Sequence, residues 1–348
     1  MRKTLFGSSL LLVAIAVVSI LQAGCSSSST TTLSQEVSNV EWLPDESGMV
    51  AFIDQITEDA YGNQTEGQNL YQVNSSGSIG NALNSSAISP DLNYWSAPVI
   101  YVSSDGKTAI TGFGADIYSI PTGGGNVNDI IQSTALFGIS SDGKYAITSP
   151  TPANVAAILW PFMFSSSGIT AQTHRTIPGI FSNRALWLNN DEYALSIVDS
   201  TDALGLHEHV TIYNAQGDSV MAIPNGDVSF SASAFSPGAN EIFVRTNAFG
   251  IDGINLTTGV RTPIITTDSV ESMDASSDGT LIVYTSKEAS QTYGTLYAVN
   301  TSNGHIKPMN VTGIILPRIS PKGDRVACIN QVDGQNSNIN VFTVTTPP

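Results

Sequence analysis

One short motif constrains this chain more than anything else in it. Ser103-Ser104-Asp105-Gly106-Lys107 recurs as Ser140-Ser141-Asp142-Gly143-Lys144, and again as Ser276-Ser277-Asp278-Gly279. Looser copies are Ser236-Pro237-Gly238-Ala239 and Ser320-Pro321-Lys322-Gly323. The most degraded are Leu43-Pro44-Asp45-Glu46 and Leu188-Asn189-Asn190-Asp191. The seven starts, at 43, 103, 140, 188, 236, 276 and 320, lie 37 to 60 residues apart. Asp-Gly is a hairpin turn pair, because Gly accepts positive φ and Asp bonds backbone N–H groups ahead of it. A period of this length implies repeated units that bury their apolar faces against one another.

Each turn is followed by a strand-forming run, as in Tyr145-Ala146-Ile147, Glu241-Ile242-Phe243-Val244, Leu281-Ile282-Val283-Tyr284 and Arg325-Val326-Ala327. A third run carries an apolar stripe: Leu70 to Val73, Ile117 to Ile120, Thr211 to Tyr213 and Leu296 to Val299. A further turn and a polar fourth strand complete each unit. The average spacing is that of a four-stranded propeller blade. Together the turns and strands resemble the WD40-like repeats of TolB-type propellers, over about 37–346. The resemblance implies an all-β fold: a seven-bladed β-propeller of four-stranded antiparallel blades, its ring closed by joining the N- and C-terminal strands. That family's separate α/β domain has no counterpart here, nor does a hydrolase domain follow. The last unit is one strand short, and residues near Leu33–Val37 are expected to supply its missing outer strand, since a closed ring leaves no exposed edge.

The first residues read as an address. Arg2 and Lys3 precede an apolar run from Leu10 to Leu21, the layout of a secretory signal. Leu21-Gln22-Ala23-Gly24-Cys25 resembles the bacterial lipobox, which implies cleavage before Cys25 and a diacylglycerol on its sulfur. Residues 1–24 are then a signal peptide and 25–32 a Ser/Thr-rich tether. Residues 33–348 form the propeller. Such a tether holds the domain on the order of 15 Å from the bilayer. Ser26 after the cysteine implies, by resemblance to enterobacterial sorting, the outer rather than the inner membrane. Processing leaves eleven basic residues against 29 acidic ones, a net charge of −18. Nucleic acid is excluded as a partner, because a phosphate-binding surface needs clustered Lys and Arg.

Catalytic signatures are missing: there is no G-x-S-x-G elbow, H-E-x-x-H or P-loop. The four histidines are His174, His207, His209 and His305, and none sits beside an evident nucleophile. The chain is therefore expected not to be an enzyme, and no cofactor is expected. Two weak metal candidates stand apart. His207 and His209 share a strand face and could take zinc with Asp199 or Asp202. The acidic loop from Asp54 to Asn69, with Asp54, Glu58, Asp59, Asn63 and Glu66, could suit calcium. Cys328 reads as a buried small hydrophobe. In Ala156 to Phe164 the default is core, with Phe162, Met163 and Phe164 as an alternative docking patch.

In a propeller the loops between second and third strands lie opposite the Asp-Gly turns. The long insertions at 54–69, 199–209, 286–294 and 330–338 therefore gather on one face. That face would carry Asp59, Tyr61, Glu66, Asp202, His207, Glu208, Lys287, Tyr293 and Asp333, and its acidity favours a cationic partner. The position two residues before each motif reads Glu41, Tyr101, Gly138, Leu186, Ala234, Asp274 and Arg318. Ring closure would set Arg318 between Asp274 and Glu41 at the central channel, as a structural clamp. The next column, Trp42, Val102, Ile139, Trp187, Phe235, Ala275 and Ile319, should be core between blades. The function expected is that of a lipid-anchored envelope scaffold binding proteins through the loop-rich face. The alternative is a propeller binding a small ligand, glycan or metal in its central funnel.

Overall fold

The computed structural model describes residues 31–84 and 99–348, apart from 114–115, 133–134, 141, 150–155, 166–167, 179–180, 190, 203–204, 224–227, 247, 267, 288–290 and 334–335. The signal peptide and most of the tether lie outside the described residues. Described secondary structure is entirely β. The first set of strands is β1 (Thr31–Trp42), β2 (Gly48–Glu58), β3 (Gln64–Asn74) and β4 (Ile79–Ala82). The second is β5 (Val99–Val102), β6 (Thr108–Phe113), β7 (Asp116–Pro121) and β8 (Asn128–Ile131). The third has β9 (Ala135–Ile139), β10 (Tyr145–Ser149), β11 (Ala156–Ser165), β12 (Gly168–Ala171) and β13 (Arg175–Pro178). The fourth has β14 (Phe181–Trp187), β15 (Glu192–Asp202), β16 (Gly205–Asn214) and β17 (Ser219–Ile223). The fifth has β18 (Val228–Ser236), β19 (Glu241–Thr246), β20 (Ile251–Asn255) and β21 (Arg261–Ile265). Then come β22 (Val270–Ala275), β23 (Leu281–Ser286), β24 (Gly294–Asn300), β25 (Ile306–Ile319), β26 (Arg325–Asp333) and β27 (Asn336–Thr343).

Within each set the strands run antiparallel in sequence order, except that in the third β13 pairs with β11 rather than β12. β25 serves two sets. Its first half pairs with β24, and after a bulge its second half pairs with β26. The motif turns pair first and second strands nine residues apart in six of the seven copies and eight apart in the fourth. Glu41 faces Val50, Tyr101 faces Ile110, Gly138 faces Ile147 and Leu186 faces Ala194. Ala234 faces Phe243, Asp274 faces Val283 and Arg318 faces Ala327. In the three good copies the turn is built identically. Asp105 Oδ1 accepts from Ser103 Oγ (2.7 Å) and Lys107 N (3.0 Å), while Ser103 Oγ accepts from Thr108 N (3.0 Å). Asp142 and Asp278 repeat this with their own serines. Gly106, Gly143 and Gly279 hold φ of 70°, 72° and 75°, the left-handed conformation the motif's glycine provides.

The first strands pack side by side in succession: β1 on β5, β5 on β9, β9 on β14, β14 on β18, β18 on β22, β22 on β25 and β25 on β1. Apolar side chains fill the spaces between neighbouring sets rather than a common centre. One cluster joins Val50 and Phe52 to Val102 and Ile120; another joins Phe243 and Ile251 to Ile282 and Tyr284. Phe52, Phe243 and Tyr284 are fully buried, each worth about 2–3 kcal/mol of transfer free energy. In the apolar column Trp42, Val102, Ile139, Trp187 and Ile319 are buried, and Phe235 and Ala275 partly so. Cys328 is fully buried, which pushes its thiol pKa well up. Ala157 and Leu159 of the apolar β11 belong to the core, while the side chains of Phe162, Met163 and Phe164 lie outside the described residues.

Two expectations are corrected. Residues Leu33–Val37 do lie next to β27 in the sheet order, but as the start of β1 running parallel to it rather than as a separate outer strand. They extend β1, which pairs antiparallel with β2 from Thr31↔Glu58 to Trp42↔Met49. They touch β27 through one parallel bridge, Gln35↔Asn336, with Gln35 N donating to Asn336 Oδ1 (3.1 Å) and Val37 N to Ser337 Oγ (2.6 Å). The reason is direction: β1 and β27 run the same way, and a long β2 offers β1 a partner over its whole length. Similarly, most of the predicted long loops are two-stranded ribbons. β2 and β3 pair out to Glu58↔Gln64, β15 and β16 out to Asp202↔Gly205, and β26 and β27 out to Asp333↔Asn336. In the fourth insertion the described residues Lys287, Gln291, Thr292 and Tyr293 lie outside strands.

Candidate functional site

The strand directions define two faces. One carries the motif turns, which touch across sets: Gly238 N donates to Ser277 O (2.7 Å), and Lys322 N to Glu46 Oε1 (2.6 Å). The other, the hairpin face, carries the ribbons and the turns between second and third strands. Tyr61 stands at the β2–β3 tip with 87% of its surface exposed. Its turn is closed by Asp59, whose carboxylate accepts from Tyr61 N (2.8 Å), Asn63 N (2.9 Å) and Asn63 Nδ2 (2.9 Å). Those bonds, from Asn63 above all, lower the Asp59 pKa. Asp333 likewise accepts from Asn336 Nδ2 at 3.0 Å on both oxygens. Both carboxylates are thus committed to their own turns, and Tyr61 is the more available contact. Tyr293 and Lys287 are half-buried.

Asp202, His207, Glu208 and His209 fall on the β15–β16 ribbon, where Ser200 faces His207, Val198 faces Glu208 and Ile197 faces His209. Their side chains, and those of Asp199 and Glu66, lie outside the described residues. Among the described residues no three His, Cys, Asp or Glu groups converge as a metal site. The acidic segment weighed as a weak calcium candidate is a paired ribbon rather than an open loop. Asp54, Glu58 and Glu66 are spread along paired strands, and Asp59 is occupied by its turn. A cleft of about 550 Å³ opens on the fifth set between Thr246, Asp252, Arg261 and Thr266, with Arg261 bonded to Asp252 across it.

On the first strands β1, β22 and β25, Glu41, Asp274 and Arg318 lie close to one another. Arg318 Nε lies 3.7 Å from Glu41 Oε2. Asp274 Oδ2 accepts from Ile319 N (2.8 Å), and Trp42 Nε1 donates to Arg318 O (3.0 Å). Surrounding protein desolvates the Glu41 carboxyl and pushes its pKa up to about 7, with Arg318 opposing and Asp274 adding to the rise. Sequence reading missed a second ion cluster on the turn face. Glu46 accepts from Arg325 Nη2 (2.9 Å) and lies 3.2 Å from Lys322 Nζ, with only 3% of its side chain exposed. Burial opposes its charge, but the bonds from Lys322, Arg325 and Ser320 outweigh that and bring its pKa down to about 2. The Arg325 guanidinium also covers the Trp42 ring, 4.8 Å from its centre.

No family model and no curated protein sequence matches this chain. Solved structures do. An oligogalacturonate lyase in complex with manganese aligns with a TM-score of 0.60 and 11% identity, over 92% of this chain and 94% of that one. An oligogalacturonate lyase from Vibrio parahaemolyticus aligns with a TM-score of 0.57 and 12% identity, over 92% and 99%. The C-terminal WD40 domain of Sif2 aligns with a TM-score of 0.54 and 13% identity, over 90% and 97%. These likenesses show a β-propeller fold with WD40-like repeats. They also correct the expectation that the chain is not an enzyme. That expectation rested on missing motifs and scarce histidines, and the fold it was attached to is shared with lyases. At such identities the likeness is one of fold, and it transfers no catalytic residue.

Proposed function

We propose that this chain is a lipid-anchored binding scaffold of the bacterial cell envelope, held through Cys25 and engaging a protein partner through its hairpin face. In this reading the propeller has seven blades, closed into a ring by the Glu41–Arg318 and Glu46–Arg325 contacts and by the Gln35–Asn336 bridge. The succession of first-strand contacts back to β1 supports that count. The observation that carries the binding role is the asymmetry of the two faces. Three polar ribbons rise from one side, and the most exposed large aromatic of the described residues, Tyr61, stands at the tip of one. Extra length on a rigid scaffold is where recognition concentrates. The lipobox around Cys25 supports the anchor, and outer-membrane placement follows from Ser26 by resemblance.

The test is site-specific photocrosslinking in membranes of the native organism. A crosslinker at Tyr61 should capture one envelope protein in near-stoichiometric yield, lost on charge reversal at Asp59, Glu66 and Asp202. The same probe at Asp105, on the turn face, should not capture it. Equal capture from both faces, or capture unchanged by charge reversal, overturns the assignment of the partner to the hairpin face.

A further inference from the structure

We infer that the hairpin face is turned toward the bilayer, with the β2–β3 tip at the lipid headgroups; this rests on the proposed anchor at Cys25. The argument starts from where the tether enters. Thr31 pairs with Glu58 at the far end of the ribbon, not at the disc. Six peptide steps separate Cys25 from Thr31, and at about 3.6 Å each they span at most ~20 Å. The turn face begins after Trp42, at the other end of the twelve-residue β1, about 36 Å away along the strand. A ~20 Å tether entering at the ribbon tip cannot bring that face to the membrane. The Tyr61 turn, by contrast, projects about 7 Å beyond the level of Thr31 on the tether side.

A second observation is independent of the tether. Of the seven exposed large hydrophobics among the described residues, five lie at this end: Leu33, Tyr61, Phe249, Ile315 and Val332. Leu33, Ile315 and Val332 each sit at a break in strand register, between Thr32 and Ser34, Ile314 and Leu316, and Gln331 and Asp333. A bulge re-aims a side chain that regular pairing would place elsewhere. Phe249 holds a positive φ of 64° in the β19–β20 turn. Local irregularities on separate strands thus present apolar groups on the side where the chain enters. Tyr is suited to the headgroup layer, its ring apolar and its hydroxyl wet. Any protein partner of this face then stands in or on the same membrane.

Full-length protein, with acylation of Cys25 checked by intact mass, is placed in phosphatidylethanolamine–phosphatidylglycerol vesicles containing a headgroup-nitroxide lipid. A fluorescent thiol label is attached at Tyr61→Cys, at Val332→Cys as a second reporter, or at Asp105→Cys on the turn face; the buried Cys328 does not react. Labels at 61 and 332 should be quenched at least threefold more than at 105. Acylated protein with equal quenching, or with stronger quenching at 105, overturns the orientation while leaving the anchor intact. Protein without the acyl mass overturns the anchor and the orientation with it.

Discussion

Glu46 occupies the position that glycine fills in the good copies of the motif, with φ of 59°. A non-glycine residue there carries about 1 kcal/mol of strain. The contacts to Lys322 and Arg325 account for its presence, because they tie the first set of strands to the last. Glu46→Gln should lower unfolding free energy by about 2 kcal/mol, since it leaves Arg325 without its buried counter-charge. Glu46→Gly should relieve the strain yet still destabilise. Because the folded pKa is depressed, the Glu46 contribution is complete above the unfolded value near 4.5 and is lost as pH falls toward 2. Glu41 works in the opposite sense. Its folded pKa is raised to about 7, so its contribution is present below about 4.5 and is lost as pH rises through 7. Glu41→Gln should therefore flatten the decline in melting temperature between pH 5 and 8, whereas Glu46→Gln should flatten the loss below pH 4.5. Melts of both variants across pH 3–8 check the signs; an unchanged wild-type slope in either variant contradicts the corresponding assignment.

The ribbons set apart what stabilises the disc from what extends beyond it. In β2 the residues from Gly48 to Ile53 are buried and those from Asp54 to Glu58 only half-buried. Replacing Ile56–Glu66 by a two-residue Asn-Gly turn should shift the melting temperature by no more than about 3 °C, because little apolar area goes with it. Extending the excision through Phe52 should cost far more, since Phe→Ala alone in a core costs about 3–5 kcal/mol. The same division explains what the sequence made legible. The disc strands announce themselves, as in Leu281-Ile282-Val283-Tyr284 after an Asp-Gly turn, and aligning them brought Arg318 beside Glu41. The ribbons did not, because Asp54-Gln55-Ile56-Thr57-Glu58 has no apolar face to set a period of two. Glu46–Arg325 was hidden for another reason. The first motif copy is the most degraded, and its αL glutamate gives no local sign that its partner lies 279 residues away.

At the scale of the whole molecule, one seam joins chain ends that every other interface connects through neighbouring sequence. Between β27 and β1 the strand pairing is the single bridge Gln35↔Asn336, so the seam depends on side chains: Glu46 with Arg325, Glu41 with Arg318, and Val37, Val40 and Trp42 against Ala327, Ile329 and Ile339. If separation of this seam initiates unfolding, a covalent link across it should stabilise more than one elsewhere. Bridged residues on adjacent strands lie about 4.8 Å apart, within the range a disulfide accepts. Gln35→Cys with Asn336→Cys closes a loop between residues 301 apart in sequence, for which chain entropy predicts a gain of about 6 kcal/mol. From that must be subtracted the bonds these side chains now make, Gln55 Nε2 to Gln35 Oε1, Gln35 N to Asn336 Oδ1 and Asn336 Nδ2 to the Asp333 carboxylate, at about 1 kcal/mol each. The oxidised variant should therefore gain about 3 kcal/mol in denaturant unfolding and slow its unfolding rate, and the reduced variant should fall below wild type. An oxidised variant that unfolds at the wild-type rate would place the first opening away from the seam, and the interfaces between consecutive sets would then be the ones to cross-link.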